Sequence, residues 1–314
     1  MVTRKLYKQP ALVLTLALSL LLGACALPID RGDLSQRPVR VTATVGMITD
    51  IIANVGGDRV IVTGLMGPGV DPHYYKPSAR DILRLDDADV IFYGGLHLEG
   101  RMVEVFEKLD KIKPVVAVSR DIPPDRLRRP IEFEGAYDPH IWFDVTLWQF
   151  AVGTIRDELS QLDPAHAGIY AQNAAAYLNK LDALDQHVRQ QIDSIPSQAR
   201  VLITAHDAFG YFGDRYGMEV RGLQGTSTAT EAGAGDVRSL ATFIAERKIK
   251  AIFVESSVPA ATVEAVQAAV QSRGWDVRIG GELFSDAMGD AGSFEGTYIG
   301  MVTHNADTIA AALK

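Results

Sequence analysis

Seven histidines lie along the chain, at positions 73, 97, 140, 166, 187, 206 and 304. Two occupy the same tripeptide: Asp71-Pro72-His73 in "GVDPHYYKP" and Asp138-Pro139-His140 in "YDPHIWFD". A third, His206, follows directly on the apolar run "RVLITA". Each of the three has an aspartate within two residues, Asp71, Asp138 and Asp207. An imidazole that binds a metal through one nitrogen commonly gives its other ring proton to a carboxylate, so these aspartates are candidates for that supporting role. Proline before His73 and His140 stiffens the backbone, which lowers the entropy lost when the rings converge. Asp286 in "IGGELFSDAMG" is a candidate fourth donor. It follows a strand-like run whose glycine pair permits a tight backbone path; the alternative is that it caps a helix. Glu255 in "IFVESS" is a second choice for the fourth position, or a group that supports a ligand. Three imidazoles and one carboxylate suit zinc or manganese. The three histidines are far apart in sequence, so no local ligand motif ties them together, and spacing alone leaves a chance coincidence open.

The other histidines carry less. His166 and His187 fall inside a long helical pattern and are expected to be solvated or partly packed, with no acidic turn around them. His304 in "MVTHNAD" is expected to satisfy local hydrogen bonds, and His97 in "GGLHLEG" is ambiguous.

The chain of 314 residues is 47% hydrophobic and 22% charged, a globular composition with room for two domains. Its start is different. Arg4, Lys5 and Lys8 precede "ALVLTLALSLLLGA" with no acid among them. A basic segment before an apolar run of about 14 residues reads as an export leader, too short for a comfortable membrane span. The run ends in "LLGAC", and Cys25 is the only cysteine in the chain. This stretch resembles the bacterial lipobox, which implies cleavage of residues 1–24 and a lipid on Cys25. No thiol then remains for a disulfide or a cysteine-metal site. The net charge of −8 becomes more negative once the basic leader is removed, which excludes a nucleic-acid-binding surface of clustered Lys and Arg.

These donors must be held by the elements between them. Residues 25–38 read as a polar tether. Then β-branched runs alternate with helical ones: strands at 39–45, 59–66, 88–95 and 113–119, with helices "MITDIIANVGG", "SARDILRLDD" and "EGRMVEVFEKLD" between them. The rhythm restarts at 200–206 and continues through 250–257 and "WDVRIGGELF". The helices there are "GDVRSLATFIAERKI" and one from Pro259 to Gly274. This predicts α/β architecture with parallel sheets, in two lobes. Between the halves, 164–195 has an apolar face of Tyr170, Ala174, Tyr177, Leu181, Leu184, Val188 and Ile192. A helix of that length reaches roughly 45 Å and could run along both lobes. The expected division is a lobe at 39–160, a linking helix at 161–197 and a lobe at 198–314.

The blocks "GLMGPGVDPHYYKPSARD", "DPHIWFDV", "TAHDAFGYFGDRYG", "GLQGTSTATEA", "AIFVESS" and "IGGELFSDAMG", in this order, resemble the TroA-like zinc/manganese receptors of ABC importers. The resemblance runs from about residue 40 to the end. It implies a periplasmic-binding-protein-like pair of lobes on one rigid helix. The cargo would be a divalent metal between the lobes, held by His73, His140, His206 and Asp286. It also implies an extracytoplasmic, membrane-anchored lipoprotein, expected to be a monomer, whose partners are an ABC permease and its ATPase. Many manganese-specific members have Glu where this chain has His206, and dedicated zinc receptors often carry a His-rich loop where residues 119–137 have no histidine. The chain thus resembles the branch for which both metals fit.

Two other readings compete. A zinc hydrolase would use three protein ligands, an open water position and a base such as Glu255, but the chain has no H-E-x-x-H and no G-x-S-x-G. A surface-adhesion role would be secondary, since no separate binding module or repeat is present.

Overall fold

The computed structural model describes residues 32–314 apart from 134 and 230. The leader and Cys25 lie outside the described residues. No helix among those described is long and apolar enough to cross a membrane.

The first lobe is built on four parallel strands: β1 (Val39–Ala43), β2 (Val60–Gly64), β3 (Val90–Tyr93) and β4 (Val115–Ala117). They lie in the order β2-β1-β3-β4. Between them run α1 (Gly46–Gly56), α2 (Ala79–Asp87) and α3 (Val103–Leu109). The start of α2 is written locally. Ser78 Oγ accepts from the Asp81 N–H at 3.3 Å, and Asp81 Oδ2 accepts from the Ser78 N–H at 2.9 Å, a reciprocal cap that satisfies two otherwise orphaned donors.

Two helices follow. The first, α4 (Val145–Leu162), has no counterpart in the sequence reading. The second, α5 (Ala167–Asp193), is the expected long helix, preceded by a 3-10 turn at Pro164–His166. Its buried residues are the seven of the predicted apolar face. At 27 residues it is about 40 Å long. It packs on α4, on α1 of the first lobe and on the chain's last helix.

The second lobe holds β5 (Val201–His206), α6 (Gly210–Tyr216), β6 (Glu219–Gln224), α7 (Ala234–Arg247), β7 (Ala251–Glu255), α8 (Ala261–Gln271), β8 (Arg278–Leu283) and α9 (Tyr298–Leu313). The strands pair in parallel as β5-β6 and β7-β8, with β5 beside β7. Strand β6 is likewise absent from the sequence reading. Its "EVRGLQ" is polar and contains a glycine, so propensity gives little sign of it. One apolar core runs through the first lobe, α4, α5, α6 and α9, while a smaller one underlies β5–β8, α7 and α8.

Candidate metal centre

Ligands in open α/β sheets bind beyond the carboxyl ends of the strands, and the candidate donors sit there. His73 is on the connection from β2 to α2. His140 lies at the end of the segment from β4 to α4. His206 is the last residue of β5, and Asp286 is on the connection from β8 to α9. All four are buried, His140 and His206 completely.

Each offers one donor atom, and these atoms lie within 4.8 Å of one another. His73 Nε2 is 3.3 Å from His140 Nε2, and Asp286 Oδ1 is 3.3 Å from His140 Nε2. Asp286 Oδ2 is 3.4 Å from His206 Nε2 and 3.9 Å from His73 Nε2. Donors at zinc–nitrogen bond length around a tetrahedral ion stand about 3.3 Å apart, so the cluster has the size of a four-donor shell. His206 Nε2 and both Asp286 oxygens are buried without a hydrogen-bond partner, although they lie close together. Three unsatisfied buried acceptors or donors at one point are expensive in a folded protein, and a cation at their centre removes that expense. Asp286 does not cap a helix: α9 is capped by Thr297.

Behind the donors, the support differs from residue to residue. Asp138 Oδ1 faces His140 Nδ1 at 2.8 Å and accepts the His140 backbone N–H at 3.0 Å. Glu255, at the end of β7, does the same for His206: Oε2 faces Nδ1 at 2.6 Å and Oε1 accepts the backbone N–H at 2.9 Å. The Asp within two residues therefore supplies the ring partner at His140. At His206 that partner comes from the neighbouring strand, as Glu255, and not from the adjacent Asp207, whose backbone N–H donates to Gln224 O at 3.1 Å. Asp71 accepts the His73 backbone N–H at 2.8 Å and a hydrogen bond from Thr228 of the second lobe at 2.6 Å. Trp142 packs edge-on to His140, with ring centroids 5.2 Å apart, and donates its indole N–H to Ser285 O at 3.0 Å. One residue from Asp286, this bond ties the two lobes beside the site.

The electrostatics follow from burial and from two carboxylates. Burial disfavours a cation at His73 and pulls it down to about 3. Burial opposes a charge on His140 too, but Asp138 and Asp286 outweigh it and push the ring up to about 9. His206 is likewise raised well above the ordinary histidine range, burial being overcome by Glu255 and Asp286. Burial would raise Asp286, yet His206 and His140 hold it well below the usual carboxylate range. The site thus gathers three carboxyl groups, those of Asp286, Asp138 and Glu255, around buried imidazoles, a setting that favours a cation, proton or metal.

The remaining histidines stay apart from the cluster. His166 departs from expectation: Asp163, three residues earlier, lies 2.9 Å from its Nδ1, and the same buried carboxylate pairs with Arg59 at 3.1 Å and accepts from Tyr170. The signal was the "DPAH" turn before the helix. His187 pairs with Asp307 of α9 at 2.8 Å, and His304 bonds to Glu282 O at 3.0 Å. His97 is exposed, with a φ of 67°.

Two α/β lobes on a rigid helix, with a buried cluster of three imidazoles and one carboxylate at the strand ends between them, define a metal-receptor class of binding protein. The chain belongs to the family described as "Zinc-uptake complex component A periplasmic", whose model matches residues 41–312. It is 55% identical over 277 residues to the zinc-binding protein TroA of Treponema pallidum, covering 88% of this chain and 89% of that one. It is 47% identical over 283 residues to the manganese-binding lipoprotein MntA of Bacillus subtilis, covering 90% and 92%. The solved structure of the Treponema pallidum periplasmic zinc-binding protein superposes with a TM-score of 0.86 at 54% identity, covering 88% of this chain and 99% of that one. The hydrolase reading falls here. The family is an uptake component, and four convergent protein donors leave no open position for a catalytic water.

Proposed function

We propose that this protein is the extracytoplasmic receptor of an ABC importer, which captures a divalent cation, zinc or manganese, between its lobes and passes it to a membrane permease driven by its ATPase. His73, His140, His206 and Asp286 are the ligands. Asp138 and Glu255 orient the rings of His140 and His206, and Asp71 holds the backbone of His73. The observation that carries this reading is the convergence of four buried donor atoms, with His206 Nε2 and both Asp286 oxygens left without hydrogen-bond partners. The lobes are residues 39–160 and 198–314, joined by the linking segment 161–197. Residues 1–24 are a leader, Cys25 carries the lipid, and 25–38 tether a monomeric receptor to the membrane. The cargo is substrate and not a resident cofactor, so no reaction is catalysed. Helix α5 limits hinge bending, and release proceeds by small local shifts of the ligand-bearing loops.

Both relatives' metals fit one His₃Asp shell. Intrinsic affinity favours zinc. Titration of metal-free residues 26–314 with Zn²⁺ and with Mn²⁺, followed by mass spectrometry and thermal unfolding, tests the reading. One tightly bound ion per chain with a large rise in melting temperature is expected, and the preferred ion names the cargo. Absence of stoichiometric binding by either would overturn it.

A further inference from the structure

The segment from β4 to α4 carries Arg128, which touches the metal site's support on one side and the second lobe on the other. Its Nε stands 3.5 Å from Asp138 Oδ2, the oxygen of Asp138 that does not face His140. Its Nη1 pairs with Asp214 on α6. The backbone closes the same circuit. The Arg128 N–H donates to Tyr211 Oη at 3.1 Å, the Tyr211 hydroxyl donates to Asp138 O at 2.9 Å, and the Asp138 N–H donates to Arg128 O at 3.0 Å. Gly210, at the start of α6, makes room for the guanidinium: a Cβ there would stand 2.6 Å from Arg128 Nε.

Two further facts set the direction. Arg128 Nε and Asp138 Oδ2 are both buried without a hydrogen-bond partner, and they face each other. Their separation exceeds the roughly 2.7–2.9 Å of a charge-assisted bond, so the pair gains by a further approach of a few tenths of an ångström. Arg128 is held to α6, and Asp138 is held to His140. A small shift of α6 against the first lobe therefore makes or breaks this contact.

We propose that Arg128 is a positioning residue for the metal site, coupling the carboxylate behind His140 to the second lobe so that the grip on the cation depends on how closely the lobes meet. The contact tightens as the lobes close. It loosens when α6 is drawn away, which frees Asp138 and, through it, the His140 ring. This rests on the receptor reading above and adds a route by which lobe displacement reaches a ligand.

The test is the rate at which bound Zn²⁺ passes to a fluorescent chelator in stopped flow, with association measured separately. Wild type must first bind one ion; failure there overturns the receptor reading and not this coupling. Arg128→Met is expected to release Zn²⁺ faster, on the order of tenfold, with association little changed. Arg128→Lys keeps the charge but cannot span Asp138 and Asp214 together, and it is expected to release as fast as the Met variant. Gly210→Ala leaves Arg128 in the sequence while crowding its guanidinium, and it suits the helix. It is expected to speed release without lowering the melting temperature of the metal-free protein, a combination that a merely structural role would not produce. Wild-type release rates in both Arg128→Met and Gly210→Ala, or full rescue by Lys, would overturn the proposal. Should the Met variant fail to fold, the Gly210→Ala rate decides it alone.

Discussion

At the scale of residues, protons and metal compete for the same nitrogens. His140 is raised to about 9 and His206 well above its usual range, against burial, by the carboxylates beside them. Under the proposed ligand set, a cation entering the site displaces protons from these rings. A folded pKa raised above the unfolded value contributes stability that is complete below about 6.5 and is lost as pH rises through about 9. The metal-free protein therefore loses this stabilisation across that window while metal affinity rises. The gain in melting temperature on adding Zn²⁺ should grow from pH 6.5 to 9, and calorimetry in buffers of different ionisation enthalpy should show proton release at pH 7. A flat profile would mean that the rings are neutral before metal arrives. His140→Ala should abolish tight binding by removing a donor; unchanged stoichiometry and affinity would refute the ligand set. Glu255→Gln keeps the shape behind His206 but removes the charge, and a loss of roughly 10–100-fold in affinity is expected, read by competition with a chelator.

At the scale of elements, the strand ends fix where the donors point. Strand β6 passes so close to the end of β5 that a Cβ at Gly222 would lie 2.3 Å from Asp207 N and 2.5 Å from the His206 carbonyl carbon. Backbone on both sides leaves no flexible atom to yield. Gly222→Ala is expected to cost about 1–3 kcal/mol of stability and to weaken metal binding, because it displaces His206 itself. Ser78→Ala should cost about 1 kcal/mol through loss of the α2 cap while leaving metal affinity unchanged. Denaturant unfolding alongside metal titration separates the two: equal loss of affinity in both variants would show that the site responds to general destabilisation.

At the scale of the whole molecule, α5 and the paired lobes set how far anything can move. Tyr177 of α5 donates to Asp50 of α1 at 2.6 Å, and His187 of the same helix pairs with α9. The helix is thus bonded to both lobes along its length. Metal loading should leave the radius of gyration nearly unchanged in small-angle scattering, whereas a wide hinge opening would appear as a clear decrease on loading. Stabilisation should be large all the same: an ion at about a thousand times its dissociation constant adds about 4 kcal/mol.

Much of the fold was legible because its signals are local. Seven strands have β-branched or apolar runs, α5 has a clean helical stripe, and α2 has its reciprocal cap. Strand β6 was not legible, being polar and broken by Gly222, while helix α4 has no counterpart in the sequence reading although its buried residues recur at helical spacing. The four donors could be singled out by residue type, flanking aspartates and family resemblance. The sequence by itself thus determined the α/β alternation, the long helix and the residues able to bind a metal. Only the tertiary structure decided that these donors converge within one ion's reach, that Glu255 and not Asp207 supports His206, and that Arg128 spans from Asp138 to α6. The reason is physical: periodicity and caps depend on neighbours in the chain, whereas convergence depends on how strands far apart in sequence lie side by side, and no local pattern encodes that distance.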